Sequence, residues 1–379
     1  MDFQLSEEQL MIRQAARDFA QTELKPGVIE RDEHQKFPAE QIKKLGELGF
    51  LGMMVSPQYG GSGMDAMSYV LVMEELSKVD ASASVVVSVN NSLVCYGLEK
   101  YGSDFQKEKY LIPLAKGEVI GAFCISEPEA GSDATSQRTT AIDMGDHYLL
   151  NGTKNWITNG STASTYIVIA QTDVAKKHHG INAFIVEKGL DGFTVGPKEN
   201  KMGIRGSDTH SLMFTDVKVP KENRIGEDGF GFKFAMKALE GGRIGIAAQA
   251  LGIASGAYEL SLQYAKERQS FGKPIGQHQA IQFKLADMAT EIEASRLLCL
   301  QAAWLKDNNL PYGQASAMAK LFASQTAMKT TVEAVQIHGG YGYVKEYHVE
   351  RLMRDAKITQ IYEGTSEIQK IVISREALK

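Results

Sequence analysis

Residues 231–268 read GFKFAMKALEGGRIGIAAQALGIASGAYELSLQYAKER and contain no proline. Because proline lacks a backbone donor and interrupts helices, its absence allows one long helix over this stretch. Only Pro274 and Pro311 follow, and the sequence also predicts helices over about 278–306, 312–338 and 366–376. Four helices of this length are typical of a bundle.

The pattern changes upstream, between residues 119 and 230. Short β-branched and aromatic runs are separated there by turn residues, including Asn151-Gly152, which indicates strands. The runs are VIGAFCI, YLL, YIVIAQT, INAFIVE and SLMFTDVKV. We therefore predict a β domain in the middle of the chain.

Residues 1–118 again have helical periodicity. Ser6 and Gln9 have the spacing of a capping box, and Pro26 should end the helix that they begin. A second helix is predicted after Phe37, with Pro38 in its first turn, and others over about 66–79, 82–100 and 103–116. Helices, then strands, then helices is not the alternation of a doubly wound fold. The prediction is an α+β multidomain chain divided as 1–118, 119–230 and 231–379.

The composition excludes several classes of protein. Of the 379 residues, 43% are hydrophobic and 23% charged, and no apolar run approaches the roughly 20 residues of a membrane span. A net charge of −5 gives no basic surplus for nucleic acid or anionic lipid. Cys95, Cys124 and Cys299 lie far apart, which argues against disulfides and thiolate metal sites. Together with an acidic N-terminus that has no targeting pattern, these features predict a cytoplasmic protein.

Several common motifs are missing. The sequence has no G-x-G-x-x-G after a predicted strand, no P-loop, no H-E-x-x-H and no G-x-S-x-G. Nicotinamide binding by a Rossmann unit, P-loop chemistry, a zinc site and a serine-hydrolase elbow therefore lose support.

Five segments instead combine a sharp turn with polar or aromatic side chains. They are SEPEAGSD (126–133), NWITNG (155–160), ERQSFGKPIGQHQ (267–279), QIHGGYGY (336–343) and IYEGTSEIQ (361–369). Each alone is compatible with an ordinary turn, cap or surface. Equally, an indole can cover a flat ring, and the Arg268 guanidinium can bind a phosphate. The last segment places Glu363 just before a glycine, with Thr365 as the N-cap of the final helix.

Taken together and in this order, the five segments resemble those of the acyl-CoA dehydrogenase family of flavoproteins, most closely its short-chain, butyryl-CoA type. The resemblance runs the whole length of the chain. It implies an N-terminal α-helical domain, a middle β-barrel-like domain and a C-terminal four-helix bundle, which agrees with the division reached from periodicity. It also implies FAD, bound between the β domain and the C-terminal helices.

The resemblance implies two groups of cofactor contacts. The first surrounds the flavin region and comprises Phe123, Ile125, Ser126, Ser132, Trp156 and Thr158. The second lies at the helix breaks, would reach the FAD of a neighbouring subunit, and comprises Arg268, Phe271, His278, Gln279, Gln336, Gly339 and Gly340. Thr365 and Glu367 match the last flavin contacts, although some relatives carry glutamine in place of Glu367.

By the same resemblance, Glu363 is the catalytic base. A thioester α-proton is very weakly acidic, so the carboxylate must lie close to it in a water-poor site that raises its basicity. Relatives for branched and long-chain substrates take their base from the position that here is Gly242. The implied substrate contacts are Ser132, Glu240, Arg243, Tyr362 and Gly364.

The 36 glycines, against nine prolines, then fall into sets with different expected roles. Those in the long helix should let helices pack closely, at positions 241, 242, 245, 252 and 256. Those in the loops that the resemblance places against FAD or the thioester are at positions 131, 160, 339, 340 and 364.

The expected activity is FAD-dependent conversion of short-chain acyl-CoA, butyryl to hexanoyl, to trans-2-enoyl-CoA. Glu363 would take the α-proton and flavin N5 the β-hydride, and electron transfer flavoprotein would reoxidise the flavin in a homotetramer built as a dimer of dimers. Alternatives on the same fold are an acyl-CoA oxidase, a flavin monooxygenase or a non-catalytic scaffold. The chain length argues against the longer oxidases, Glu363 argues against a monooxygenase, and the five intact motifs argue against a scaffold.

Overall fold

The computed structural model describes residues 4–379. Its N-terminal part is helical: α1 (Glu7–Phe19), α2 (Val28–Glu33), α3 (Ala39–Glu47), α4 (Ala66–Ser77), α5 (Ala81–Ser88), α6 (Tyr96–Tyr101), α7 (Asp104–Gln106) and α8 (Ile112–Ala115). Three π-helical segments adjoin these helices, at Ala20–Leu24, Val89–Cys95 and Lys107–Leu111.

The predicted start of the first helix is confirmed. The Ser6 hydroxyl accepts from the Gln9 N–H at 3.1 Å, and the Ser6 N–H donates to Gln9 Oε1 at 3.1 Å. The helical run ends at Leu24, before Pro26, as predicted. The sequence analysis missed α2, and Pro38 is the N-cap of α3 rather than part of its first turn.

One helical run, Ala81–Tyr101, is long and apolar enough by composition to cross a membrane. The prediction that no apolar run approaches that length was therefore wrong. Within the structure, however, 94% of its apolar window is buried, so the run serves as a core helix between the N-terminal helices and the rest of the chain.

The middle of the chain forms a mixed eight-stranded sheet. Its strands are β1 (Gly121–Cys124), β2 (Thr140–Asp143), β3 (His147–Thr158), β4 (Thr165–Gln171), β5 (Ile181–Glu187), β6 (Phe193–Lys198), β7 (Thr209–Pro220) and β8 (Arg224–Ile225). They pair in the order β6-β7-β3-β2-β4-β5-β8, and β1 lies parallel to β4. The predicted β domain is confirmed.

Asn151-Gly152 is not a turn, contrary to the prediction. The two residues lie inside β3, where the pairing with β7 shifts register between Leu150 and Gly152. Gly152 has φ +144°, and a Cβ there would lie 2.7 Å from the backbone of Thr139. The glycine therefore allows a bulge within a continuous strand rather than a hairpin.

The C-terminal part is helical: α9 (Gly231–Glu267), α10 (Gln279–Asp307), α11 (Gly313–His338), α12 (His348–Ile358) and α13 (Ser366–Ala377). A small hairpin of β9 (Gln269–Ser270) and β10 (Lys273–Pro274) joins α9 to α10. The four predicted helices are confirmed, and α12 is an additional one.

Glycines let α9 approach the N-terminal helices closely. A Cβ at Gly245 would collide with Tyr69, and Cβ atoms at Gly252 and Gly256 would collide with backbone at and just beyond the end of α4. The packing role predicted for these three glycines is confirmed. It was wrong for Gly241, where a Cβ would have no neighbour nearer than 3.8 Å.

Asn90 joins three segments beneath the sheet. Its Nδ2 donates to Leu51 O at 2.8 Å and to Leu114 O at 3.2 Å, and its Oδ1 accepts from the Gly121 N–H at 2.9 Å. The side chain is fully buried. It therefore satisfies backbone groups of the turn after α3, of α8 and of β1 that water does not reach.

We expect Asn90→Ala to lower the melting temperature by about 5 °C or more, because each buried group left unpaired costs about 1–3 kcal/mol. Asn308→Ala is the matched control, since its amide also donates to a backbone carbonyl, Trp304 O at 2.8 Å, but on an exposed helix end. The control should change the melting temperature by less than about 1 °C. Equal shifts in both variants would contradict the role assigned to Asn90.

Candidate active site

A cavity of about 270 Å³ lies between the ends of β1 and β3, the first turns of α9 and the turn that precedes α13. Part of its lining is apolar and comes from Val85, Val89, Leu93, Phe123, Ile125, Phe232, Met236 and Leu239. The rest of the lining includes hydroxyls, an indole, a guanidinium and a carboxylate, from Ser126, Ser132, Thr135, Trp156, Thr158, Arg243 and Glu363. An apolar pocket with a few converging polar groups is typical of a small-molecule site.

The loop after β1 is fixed by a buried lysine. Lys154 Nζ, fully buried, donates to Ile125 O at 3.2 Å and pairs with Glu127 Oε1 at 2.7 Å. Burial alone would raise the pKa of Glu127, but Lys154 and backbone donors hold that pKa below its usual value. The Asn155 N–H donates to Ser126 O at 2.9 Å, so the 126–133 loop is tied to β3.

Trp156 and Thr158 lie two residues apart near the end of β3, and both line the cavity. The backbone is unusual here, since Trp156 and Asn159 both have φ +62°. Asn159 Nδ2 donates to Gly121 O at 2.9 Å, and Asp208 accepts from the backbone N–H groups just beyond the turn. These contacts fix the strand end that carries the indole.

Glu363 comes from the turn between α12 and α13. It has φ +52° and Gly364 has φ +92°, so two consecutive residues occupy the left-handed region. Its Oε2 is buried and has no hydrogen-bond partner among the described residues. Burial raises the pKa of Glu363 to about 7, against the opposing influence of Lys320 and Arg243.

Two glycines shape the space around this carboxylate. A Cβ at Gly242, on α9, would collide with Glu363 Oε2 and lie 2.8 Å from Leu93 Cδ2. Gly242 therefore faces the carboxylate directly, rather than only assisting helix packing. A Cβ at Gly364 would lie 2.7 Å from Gln369 Nε2, so the chain itself also requires glycine there.

The structure brings ten of the predicted site residues to one cavity besides Glu363. They are Phe123, Ile125, Ser126, Ser132, Trp156, Thr158, Arg243, Tyr362 and Gly364, with the predicted loop glycine Gly131. Glu240 lies outside the lining and pairs with Lys237 at 3.0 Å. Thr365 accepts from the Ile368 N–H as the N-cap of α13, and Glu367 is exposed.

The residues expected to reach a neighbouring subunit lie elsewhere. Arg268, Gly339 and Gly340 line a second, open cavity of about 600 Å³. Phe271 is 94% exposed and lies beside His278, Gln279 begins α10, and Gln336 is exposed near the end of α11. Cβ atoms at Gly339 and Gly340 would meet nothing within 4 Å. This surface is therefore open to a group from outside the chain.

The sequence analysis missed the residues that hold the site from behind. Lys154 supports the loop after β1, and Lys320 contacts the Glu363 turn. Lys320 lies among alanines on a helix, and a lysine in such a stretch is a sequence signal for a buried, paired cation, whereas Lys154 stands between Thr153 and Asn155 and gives no such signal.

The residues present fit FAD. The Trp156 indole is 62% exposed and can cover a flat ring, and the nearby Ser126, Ser132 and Thr158 hydroxyls can bond to ring edges. Arg268 lies beside the open glycines of the second cavity, where a phosphate could approach backbone. Across residues 4–379, no group of three His, Cys, Asp or Glu side chains is placed to hold a metal ion.

Comparison with known proteins identifies the same family along the chain. Models of the acyl-CoA dehydrogenase N-terminal, middle and C-terminal domains match residues 6–118, 122–217 and 229–378. The chain is 52% identical over 374 residues to a short-chain specific acyl-CoA dehydrogenase of Clostridium acetobutylicum, covering 99% of both chains.

Solved structures give the same result. The three-dimensional structure of butyryl-CoA dehydrogenase from Megasphaera elsdenii matches with a TM-score of 0.99 and 50% identity, covering 100% of both chains. A chain in a structure described as electron transferring flavoprotein of Acidaminococcus fermentans matches with a TM-score of 0.99 and 52% identity, again over 100% of both chains.

The buried carboxylate predicts a pH-dependent cost to stability. The pKa of Glu363 in the folded protein, about 7, lies above its ordinary value of 4.5. Between these pH values the folded protein retains a proton that the unfolded chain has released, so stability falls as the pH rises. Above pH 7 the cost reaches about 3 kcal/mol.

Glu363→Gln removes this cost, so the gain in melting temperature over the wild type should be larger at pH 8 than at pH 5. Glu227→Gln, in an exposed loop, is the control and should give the same small difference at both pH values. A gain for Glu363→Gln that is equal or smaller at pH 8 would show that the carboxylate is not buried as described.

Proposed function

The chain belongs to the acyl-CoA dehydrogenase family, and we propose that it catalyses FAD-dependent α,β-dehydrogenation of short-chain acyl-CoA to trans-2-enoyl-CoA. The observation that carries the proposal is the Glu363 carboxylate, whose Oε2 is buried and has no hydrogen-bond partner, in the lining of a cavity that also has an apolar part. The preference for short acyl chains is supported by relatives named short-chain specific and butyryl-CoA dehydrogenase.

Glu363 acts as the base that removes the α-proton of the thioester. A base is most effective when its pKa lies near the working pH, and burial raises the pKa of Glu363 to about 7. Uptake of the proton also removes a charge from a water-poor site, which lowers the cost of burial. Arg243, 7% exposed and with its Nε unpaired, lies on α9 beside this carboxylate and contributes positive charge to the site.

The other polar groups orient the reactants. FAD, when bound, supplies the acceptor for the β-hydrogen, which leaves as hydride. Trp156, Thr158, Ser126 and Ser132 hold the flavin end in our assignment. The backbone N–H of Glu363 is the proposed donor to the developing enolate oxygen, where aimed donors are most effective. The apolar part of the lining receives the acyl chain and excludes water.

The same assignment extends to partners. Phe271, Arg268 and the open glycines of the second cavity are proposed to contact the FAD of a neighbouring subunit, in a homotetramer. Electron transfer flavoprotein is the proposed electron acceptor, supported by the matching chain in a structure that carries that name. A cytoplasmic location is proposed too, and it is compatible with three cysteines that are all free and buried. The domain division proposed is 1–118, 119–230 and 231–379.

The decisive experiment adds butyryl-CoA without oxygen to the purified yellow protein and records the flavin absorbance. The wild type should bleach and then reduce electron transfer flavoprotein faster than oxygen. Glu363→Gln should still bind FAD and acyl-CoA but fail to bleach, with Glu227→Gln as the control that bleaches normally. Normal bleaching of Glu363→Gln would show that the base lies elsewhere, and protein that takes up no FAD would indicate a scaffold.

Two adjacent glycines give a matched pair of variants. Gly242→Ala should lower kcat by about 100-fold, because its methyl group displaces the Glu363 carboxylate from its position. Gly241→Ala should change kcat by less than about threefold, since a Cβ there meets nothing nearer than 3.8 Å. Steady-state kinetics with butyryl-CoA tests both, and similar values of kcat would contradict the placement of the carboxylate against α9.

A further inference from the structure

Lys320 lies on α11 behind the turn that carries Glu363. Its side chain is fully buried, and Nζ donates to Gly364 O at 2.5 Å. The surrounding face of α11 consists of small residues, Ala317, Ala319, Ala323 and Ser324. A buried lysine is costly unless it is paired, and burial lowers the pKa of Lys320 to about 8. Neither the proposed chemistry nor the fold described so far requires a cation at this point.

The turn that Lys320 contacts is unfavourable by itself. A non-glycine residue in the left-handed region costs about 1–3 kcal/mol and persists only where surrounding contacts fix it. Glu363 is such a residue, with φ +52°. Gln369 Nε2 donates to Gly364 O at 2.8 Å and to Glu363 O at 3.4 Å, and the Tyr362 hydroxyl bonds to Gln249 on α9. Lys320 is the one charged group among these restraints.

Few charged groups surround the Glu363 carboxylate. Lys320 on α11 and Arg243 on α9 are the cations that oppose the effect of burial on its pKa. Tyr69 on α4 and Tyr362 are also near, but their pKa values are raised, so both are neutral at physiological pH. Glu367 on α13 acts on Lys320 from the surface. Lys320 is thus the cation that both contacts the turn and favours the ionised base.

We propose that Lys320 is a positioning residue for the reaction: its ammonium holds the Gly364 carbonyl, so that the turn keeps Glu363 aimed into the cavity as a carboxylate. The inference rests on the proposed role of Glu363 as base. No bond is made or broken at Lys320. It fixes the geometry and the charge state of the group that takes the proton.

The test compares two variants that both remove the positive charge of Lys320, only one of which keeps a hydrogen-bond donor. Lys320→Met removes both, and Lys320→Gln keeps a donor without charge. Lys306→Met is the matched control, because Lys306 is a partly buried lysine on α10 whose Nζ contacts Met54 Sδ at 3.4 Å and lies 5.3 Å from the Tyr96 ring centroid, not at the turn. Each holoenzyme is assayed for kcat, KM and the pH dependence of kcat/KM with butyryl-CoA. Binding of a non-oxidisable acyl-CoA analogue is followed by flavin absorbance.

For Lys320→Met we expect kcat to fall about 100-fold, with KM and analogue affinity within about threefold of wild type. Loss of the positive charge raises the pKa of Glu363, so the acid limb of the kcat/KM profile should move to higher pH by about one unit. Lys320→Gln should recover part of kcat but keep the shifted limb. Lys306→Met should leave both unchanged.

The proposal is overturned if the acid limb stays in place in both Lys320 variants, or if Lys306→Met reproduces their loss of kcat. Should Lys320→Met fail to fold, Lys320→Gln still tests the charge. Glu363→Gln, assayed alongside, separates the role of Lys320 from the proposed function. If Glu363→Gln is inactive but the Lys320 variants behave like the wild type, only the role of Lys320 is refuted. An active Glu363→Gln refutes the proposed function itself.

Discussion

The close contact between α9 and the end of α4 is the constraint on which the molecule depends. Gly252 and Gly256 bring the backbones of the two elements together, with no room for a Cβ at either position. Because α9 has 37 residues, the same rod that is fixed there extends to the sheet, where Gly231 lies against the backbone of Asn182. The cavity lies against this helix, which contributes Phe232, Met236, Leu239 and Arg243 to its lining.

The carboxylate of Glu363 differs from most other buried carboxylates in having no paired cation. Most buried carboxylates in the protein are paired, as Glu127 is with Lys154 and Glu74 with Arg296. Glu363 Oε2 has no hydrogen-bond partner, although two cations act on it from a distance. Such a group destabilises the fold and persists because the surrounding restraints are strong. The strain in its backbone and the cost of its burial therefore occur at the same residue, Glu363, next to the cavity.

Much of the fold follows from the sequence. Local sequence preferences agree with the observed structure at the capping box of Ser6, in the β-branched runs and in the proline-free helices. The failures have physical causes. Asn151-Gly152 has the composition of a hairpin turn, but neighbouring strands on both sides of β3 stabilise a bulge instead. The 81–101 run has a high mean hydropathy because nearly all of it is buried in the core, and hydropathy alone does not distinguish such a helix from a membrane helix.

The site residues that belong to sequence motifs could be predicted. The residues on distant elements that hold those motifs in place could not. Motif residues such as Trp156, Ser132 and Glu363 lie on one cavity, as their loops imply. Lys320 lies 43 positions before Glu363, and its contact is with a backbone carbonyl, which leaves no complementary side chain to detect. Glu240 carries a charge of the right kind one turn from Arg243, yet its partner is Lys237. Only the positions of α9 and α11 in the folded chain show that Lys320 contacts the Glu363 turn and that Glu240 lies outside the cavity lining.

The contact between Gly242 and the Glu363 carboxylate has a consequence for how the position of the carboxylate is specified. Residues 121 positions apart in the chain project toward one point, so an acidic side chain supplied from either segment could occupy it. The resemblance implies relatives with their base at the position of Gly242, and such a base would project toward the same point as Glu363. The pocket therefore defines where a carboxylate lies, while two different segments of the chain are placed to supply it, and the glycine on one segment leaves the room that the side chain of the other occupies.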